Sequence, residues 1–91
     1  MSAVAKRIVF KGQVQGVGFR FTALNIAGQY QLTGYVRNAP DGTVEMLVQG
    51  PAGDIDGCIS DIKDSFHGYV QETSVEDAVF DAKYKDFRIT F

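Results

Sequence analysis

Gly12-Gln13-Val14-Gln15-Gly16-Val17-Gly18-Phe19-Arg20 decides the fold, because an alternating strand pattern stops inside this stretch and a helical pattern starts there. Its three glycines allow a tight bend and a close approach of backbone to a ligand, since a residue without Cβ reaches left-handed dihedrals that others avoid. The first turn of the following helix presents amides with no partner inside the helix, at the positive end of the helix dipole. No Ser, Thr, Asp or Asn occurs between Gly12 and Arg20, so the usual side-chain cap for those amides is missing and an external anion fits in its place. Arg20 adds a planar, permanently charged fork suited to two phosphate oxygens at once. Turns of this kind also serve as plain joints, and the glycines alone leave both readings open. A Walker loop is excluded because Gly18 is followed by Phe19-Arg20 in place of Lys and Ser or Thr. A dinucleotide fingerprint is excluded because Phe21 stands where its third glycine belongs.

Outward from that stretch the periods are legible. Lys6 to Lys11 alternates as a strand, with Ile8 and Phe10 on one side and Arg7, Val9 and Lys11 on the other. Phe19, Ala23, Ile26, Ala27 and Tyr30 recur at helical spacing, so a first helix is expected over about 19–30. Leu32 to Asn38 suits a second strand, and Ala39-Pro40-Asp41-Gly42 is a turn by composition. Thr43 to Gln49 returns as the other arm of a hairpin, with Val44, Met46 and Val48 on one face and Thr43, Glu45 and Gln49 on the other. Beyond the Gly50-Pro51-Ala52-Gly53 break, Asp54 is a plausible N-cap. Ile55, Cys58, Ile59, Ile62 and Phe66 mark a second helical face, closed by Gly68. Ser74 to Tyr84 and Phe87 to Phe91 read as two further strands.

The order is β-α-β-β-α-β with a short extra strand. It predicts an α+β, ferredoxin-like sandwich, one antiparallel-rich sheet with both helices on one face, and a single domain over residues 1–91. If the first two strands lie parallel in that sheet, Gly12 and Asn38 share an edge. With one strand between them, the two backbones would stand about 10 Å apart, enough to enclose a phosphate-sized ligand.

Composition narrows the function classes. Ninety-one residues make a small domain, whose seven Phe and four Tyr supply large apolar area without Trp. A lone Cys58 has no internal disulfide partner, and no signal-peptide pattern or membrane-length apolar run is present, so a cytoplasmic protein without membrane contact is expected. Cys58 reads as core filler and His67 as a helix-end residue. All eleven carboxylates lie at or after Asp41, whereas the first forty residues carry Lys6, Arg7, Lys11, Arg20 and Arg37, so the glycine turn belongs to a basic segment of a chain with net charge −2. An RNA-binding sheet is disfavoured, since Val44 to Val48 holds no aromatic for base stacking and the net charge is unfavourable. A regulatory module that binds a small anion without chemistry stays open.

The stretch Gly12 to Arg20, with Gly34-Tyr35-Val36-Arg37-Asn38, Gly42-Thr43-Val44 and Gly50 farther on, resembles the acylphosphatase family, small enzymes that hydrolyse the carboxyl-phosphate bond of acyl phosphates. The resemblance spans essentially the whole chain and weakens after about Gly53. It implies that the amides of Gln15, Gly16, Val17, Gly18 and Phe19, with the Arg20 guanidinium, hold the phosphoryl group while Asn38 orients the attacking water. It further implies a small-molecule acyl phosphate substrate, inorganic phosphate as product and inhibitor, no cofactor, no metal, no nucleic acid partner and a monomer. Two departures stand out: Gln13 occupies a position where the family often has a basic residue, and Ala39 one where it often has Thr. Altered affinity or rate is the expected consequence, with the reaction retained. A carboxylate leaves readily and phosphoryl transfer depends mostly on positioning and charge, so the lack of Asp, Glu, His or Cys in the motif region is no deficit. Hard cations want carboxylates and zinc wants His or Cys clusters, so the same lack speaks against a metal there.

Overall fold

The computed structural model describes residues 3–91. The elements run β1 (Ala3–Gly12), α1 (Phe19–Gln29), β2 (Thr33–Asn38), β3 (Val44–Pro51), α2 (Ala52–Ser65), β4 (Val70–Ala78) and β5 (Phe87–Thr90). They build one five-stranded sheet in the order β4-β1-β3-β2-β5. β1 pairs antiparallel with both β3 and β4, β2 antiparallel with β3, and β2 parallel with β5. The expected ferredoxin-like α+β plan is therefore present. Strand β3 fills the space between the parallel pair β1 and β2, and β1 fills the space between the parallel pair β3 and β4.

The inward positions are those of the alternating pattern. Ile8, Phe10, Val36, Val44, Met46 and Val48 are fully buried under the helices. Helix α1 contributes Phe19, Ala23, Ile26 and Ala27 to that core, and α2 contributes Ile55, Cys58 and Ile62. Helix α1 packs against β2 and β5, α2 against β3 and β1, and the two helices touch each other. Phe19 carries the start of α1 into the core, with its ring 4.9 Å from Phe10 and 4.5 Å from Phe66 between centroids. Anchoring Phe19 inward leaves the next side chain, Arg20, at the end of the sheet.

Three expectations need correction. Helix α2 begins two residues before Asp54, with Pro51 as N-cap, so Asp54 lies in the first turn, where its charge favours the dipole without capping a terminus. The strand expected over 74–84 is instead Val70–Ala78, because β4 and β5 lie at opposite edges and the chain must leave the sheet to cross between them. That crossing, residues 79–86, runs over the face opposite the helices, as shown by Tyr84 against Tyr35 and by the Gly34 amide donating to the Asp86 carbonyl. Gln49, assigned to the polar face, is 1% exposed beneath the crossing. Its Nε2 donates to the Asp81 carbonyl and Thr33 Oγ1, and its Oε1 accepts from the Asp81 amide at 2.7 Å. Burying a carboxamide is costly unless it is hydrogen-bonded, and here two of its bonds tie the crossing to β3 and the third ties β3 to β2.

Candidate active site

The site is built where β1 ends. At Lys11/Gly12 the pairing with β4 shifts register, and the Gln13 amide then donates to the Tyr69 carbonyl at 2.9 Å, which fixes the base of the loop to the α2–β4 connection. Val14 turns into the core and is fully buried. From there the backbone rises to Gly16 and Gly18, both left-handed with φ of 77° and 78°. A Cβ at either glycine would meet nothing within 4 Å, so the requirement for glycine is conformational and not steric crowding. Gly18 is the N-cap of α1 and supplies no side-chain hydrogen bond.

The consequence is a cluster of free donors. Among the described residues, no amide from Gln15 to Phe19 donates to a protein carbonyl, whereas Gln13 before them and Thr22 after them both do. Arg20 forms part of the same concavity, a hollow of about 210 Å³ lined by Val14, Gly16, Gly18, Phe19, Arg20, Phe21 and Asn38. Its guanidinium lies 5.2 Å from the centre of the Phe91 ring, a cation–π distance that leaves the N–H edge unengaged.

Charge in the basic segment is otherwise spent on the sheet. Lys6 pairs with Asp77, Arg7 with Glu45 and Glu76 at 3.1 Å each, Lys11 with Glu72 at 3.7 Å, and Arg37 with Glu45 at 2.8 Å. Of the five cations in the first forty residues, only Arg20 has no ion pair among the described residues. The excess positive charge expected near the loop is thus narrowed to one guanidinium and the amides.

Asn38 closes the other side. It ends β2, opposite Val44 across a tight hairpin in which the Ala39 amide donates to the Thr43 carbonyl at 2.8 Å. Its Oδ1 is buried and finds no donor within the protein, an arrangement that folded chains rarely tolerate without a role. The turn below it is braced by Asp41, whose Oδ1 accepts from the Thr43 amide and from Thr43 Oγ1 at 2.6 Å. Those bonds, the hydroxyl first, hold the Asp41 carboxyl below its ordinary range. Ala39 is buried, which puts apolar packing beside Asn38.

Of the residues expected at the site, Gly16, Gly18, Phe19, Arg20 and Asn38 line one hollow, whereas Gln15 and Val17 belong to the same loop without lining it. The two strands that carry them flank β3, as the one-intervening-strand arrangement requires. One contact escaped sequence reasoning. The Gln15 side chain, considered only for its amide, reaches across and donates from Nε2 to the Ala39 carbonyl at 2.8 Å and the Thr43 carbonyl at 2.9 Å. It clasps the loop to the hairpin that carries Asn38. Its only advance sign is a long amide side chain, shared with Gln13, in a glycine-rich turn. Cys58 and His67 lie outside the site. Burial, assisted by the charge of Asp61, pushes the Cys58 thiol up to about 12, and His67 is exposed at the end of α2. Among the described residues no group of three or more His, Cys, Asp or Glu is placed to share a metal ion. No helix is long and apolar enough to cross a membrane. A larger hollow of about 420 Å³ lies along β2 and β5, lined by Tyr35, Tyr84 and Arg88 among others, but there Arg88 is committed to Asp86.

The topology, with its glycine-bent turn opening the first helix, sets the chain among the ferredoxin-like α+β proteins. Comparison with known proteins sharpens this. The Acylphosphatase family model matches residues 6–89. An acylphosphatase of Chlorobaculum tepidum is 40% identical over 83 residues, 90% of each chain. One of Bordetella parapertussis is 38% identical over 81 residues, 88% of this chain and 86% of that one. The crystal structure of the Bacillus subtilis acylphosphatase superposes with a TM-score of 0.89 at 32% identity, covering 97% of this chain and 99% of its own. Full-length HypF, solved in a phosphate- and nucleotide-bound form, matches at TM-score 0.88 and 35% identity over 99% of this chain but 12% of its own. The chain belongs to the acylphosphatase family, hydrolases that act on acid anhydrides.

Proposed function

We propose that the chain hydrolyses the carboxyl-phosphate bond of acyl phosphates without a metal, with the Gln15 to Phe19 amides and Arg20 holding the phosphoryl group and Asn38 orienting the water. The observation that carries the proposal is that Asn38 lines the same hollow as Arg20 and the glycine turn, whose amides have no protein acceptor. No protein donor holds the Asn38 Oδ1, so the carboxamide is free to turn that oxygen into the hollow, where it receives a hydrogen from water and directs the water lone pair at phosphorus. An amide is no base at neutral pH, so the role of Asn38 is geometric.

The reaction balances with no added reagent. The water oxygen bonds to phosphorus as the bond from phosphorus to the carboxyl oxygen breaks, and the bonding pair departs on the carboxylate. Both water protons finish on the phosphate, giving a carboxylate and dihydrogen phosphate with total charge −2 before and after. A loose transition state places negative charge on the three equatorial oxygens, where preorganised amides and a guanidinium act most strongly. The leaving carboxylate is a weak base, so no acid is needed beside it.

Turnover of benzoyl phosphate is the first test. Asn38→Ala is expected to lower kcat with little change in KM, and Arg20→Ala to lower kcat and raise KM together. Full turnover by Asn38→Ala would remove the water-orienting role. Inorganic phosphate is expected to compete with substrate, and EDTA to have no effect; strong inhibition by EDTA would overturn the metal-free claim. The same reading takes the protein as a cytoplasmic monomer, which the lone, core-packed Cys58 suits, and gel filtration tests its oligomeric state.

A further inference from the structure

We infer that the mouth of this site is a subsite for apolar, preferably aromatic, acyl groups, with Phe21 as its principal contact, an inference that rests on the hydrolase reading above. The hollow of about 210 Å³ is smaller than the roughly 300 Å³ at which pockets for drug-sized ligands begin, so it suits a phosphoryl group and leaves an acyl group outside it. What the acyl group meets there is set by the exposed side chains. Seven large apolar residues are exposed among those described, and four of them belong to this end of the molecule: Val17 in the loop, Phe21 in the first turn of α1, Phe91 against Arg20 and Tyr69 at the base of the loop. Phe21 is 69% exposed while lining the same hollow as Arg20 and Asn38.

An aromatic ring left in water at the first turn of a helix contributes nothing to the core, and a polar residue would serve the helix as well. Its exposure beside the anion donors is accounted for if an apolar group covers it during binding. Of the polar side chains around the site, Gln15 is committed to the hairpin carbonyls and Thr43 Oγ1 to Asp41, while Arg20 and Asn38 serve the phosphoryl group and the water in the reading above. A hydroxylated or charged acyl group therefore finds no side-chain partner among these residues, whereas a phenyl or branched alkyl group can stack on Phe21 and touch Val17.

The test compares benzoyl phosphate with acetyl phosphate in steady state. The unaltered protein is expected to show a lower KM for benzoyl phosphate, and Phe21→Ala to raise that KM by about fivefold to tenfold, the worth of one aromatic contact, while changing the acetyl phosphate KM by less than about twofold. Phe21→Leu is expected to fall between. Phe80→Ala, an exposed aromatic beside Ala3 and Ala78, is expected to alter neither. An equal change for both acyl phosphates, or none for benzoyl phosphate, would overturn the subsite while leaving the hydrolase intact. Absence of turnover of both acyl phosphates by the unaltered protein would overturn the hydrolase reading and the subsite with it.

Discussion

Replacing Gln15 by Leu removes the clasp between loop and hairpin without changing the backbone amide of the cradle. The two bonds lost, 2.8 and 2.9 Å long, end on carbonyls that keep other donors: the Gly42 amide still reaches Ala39 at 3.1 Å, and the Ala39 amide still reaches Thr43. No acceptor is orphaned, so the stability cost is that of two ordinary partly exposed hydrogen bonds, about 1–2 kcal/mol in total. For a domain of this size that lowers Tm by about 4–16 °C. The effect on chemistry is expected to be larger. A displacement near 1 Å of a positioning group costs up to about 100-fold in rate, and Asn38 is carried on the hairpin that the clasp holds. Steady-state turnover of benzoyl phosphate by Gln15→Leu should therefore show kcat reduced by roughly 10- to 100-fold, with phosphate inhibition changed by less than about threefold because the amides and Arg20 persist. Gln15→Glu separates positioning from bulk. Its ionised carboxylate faces two carbonyl oxygens with no hydrogen to offer, and activity should recover as pH falls through the carboxyl titration, when one donor returns. A folded Gln15→Leu protein with unchanged kcat would refute the reasoning.

Two further outcomes test the fold around the site. Gln49→Leu should cost about 2–3 kcal/mol by cutting two bonds that hold the 79–86 crossing and one to Thr33 of β2, read as a lower urea midpoint, with turnover per folded molecule nearly unchanged because none of those bonds reaches the loop. For Cys58, burial lifts the folded thiol from 9.0 to about 12, so above pH 9 the unfolded chain releases its proton first and stability should be complete below pH 9 and decline from there toward 12. Cys58→Ala should flatten that alkaline decline, and iodoacetamide at pH 8 should leave the folded protein unmodified; rapid alkylation without unfolding would contradict the burial of the thiol.

Much of this was legible before any coordinates, and the reasons divide cleanly. Periodicity is local, so the faces of β1, β3 and both helices could be read from Ile8, Phe10, Val44, Met46, Val48, Ala23 and Ile62, each of which packs where its spacing placed it. The loop was legible because missing cap residues and glycines are also local. What escaped depended on distant chain. Gln49 looks like any outward polar residue of an alternating strand until a segment thirty residues later covers it. The end of β4 was misjudged because residues 79–84 keep strand-like composition while the opposite placement of β4 and β5 forces them off the sheet. Asp54 looked like a cap, yet Pro51, with its pre-set φ of −61°, takes that position and lets the helix start earlier. The Gln15 clasp spans 24 residues, and nothing near Gln15 names its acceptors.

The presence of β3 between the strands bearing the loop and Asn38 has an evolutionary consequence. The breadth of the chemical centre equals two inter-strand spacings, a dimension dictated by backbone pairing and indifferent to which side chains the strands carry. Substitution can neither stretch nor narrow it by degrees. Diversification of what such a protein acts on is thereby channelled to the outer ring of residues, where a single exposed position such as Phe21 can drift while the reacting geometry stays frozen.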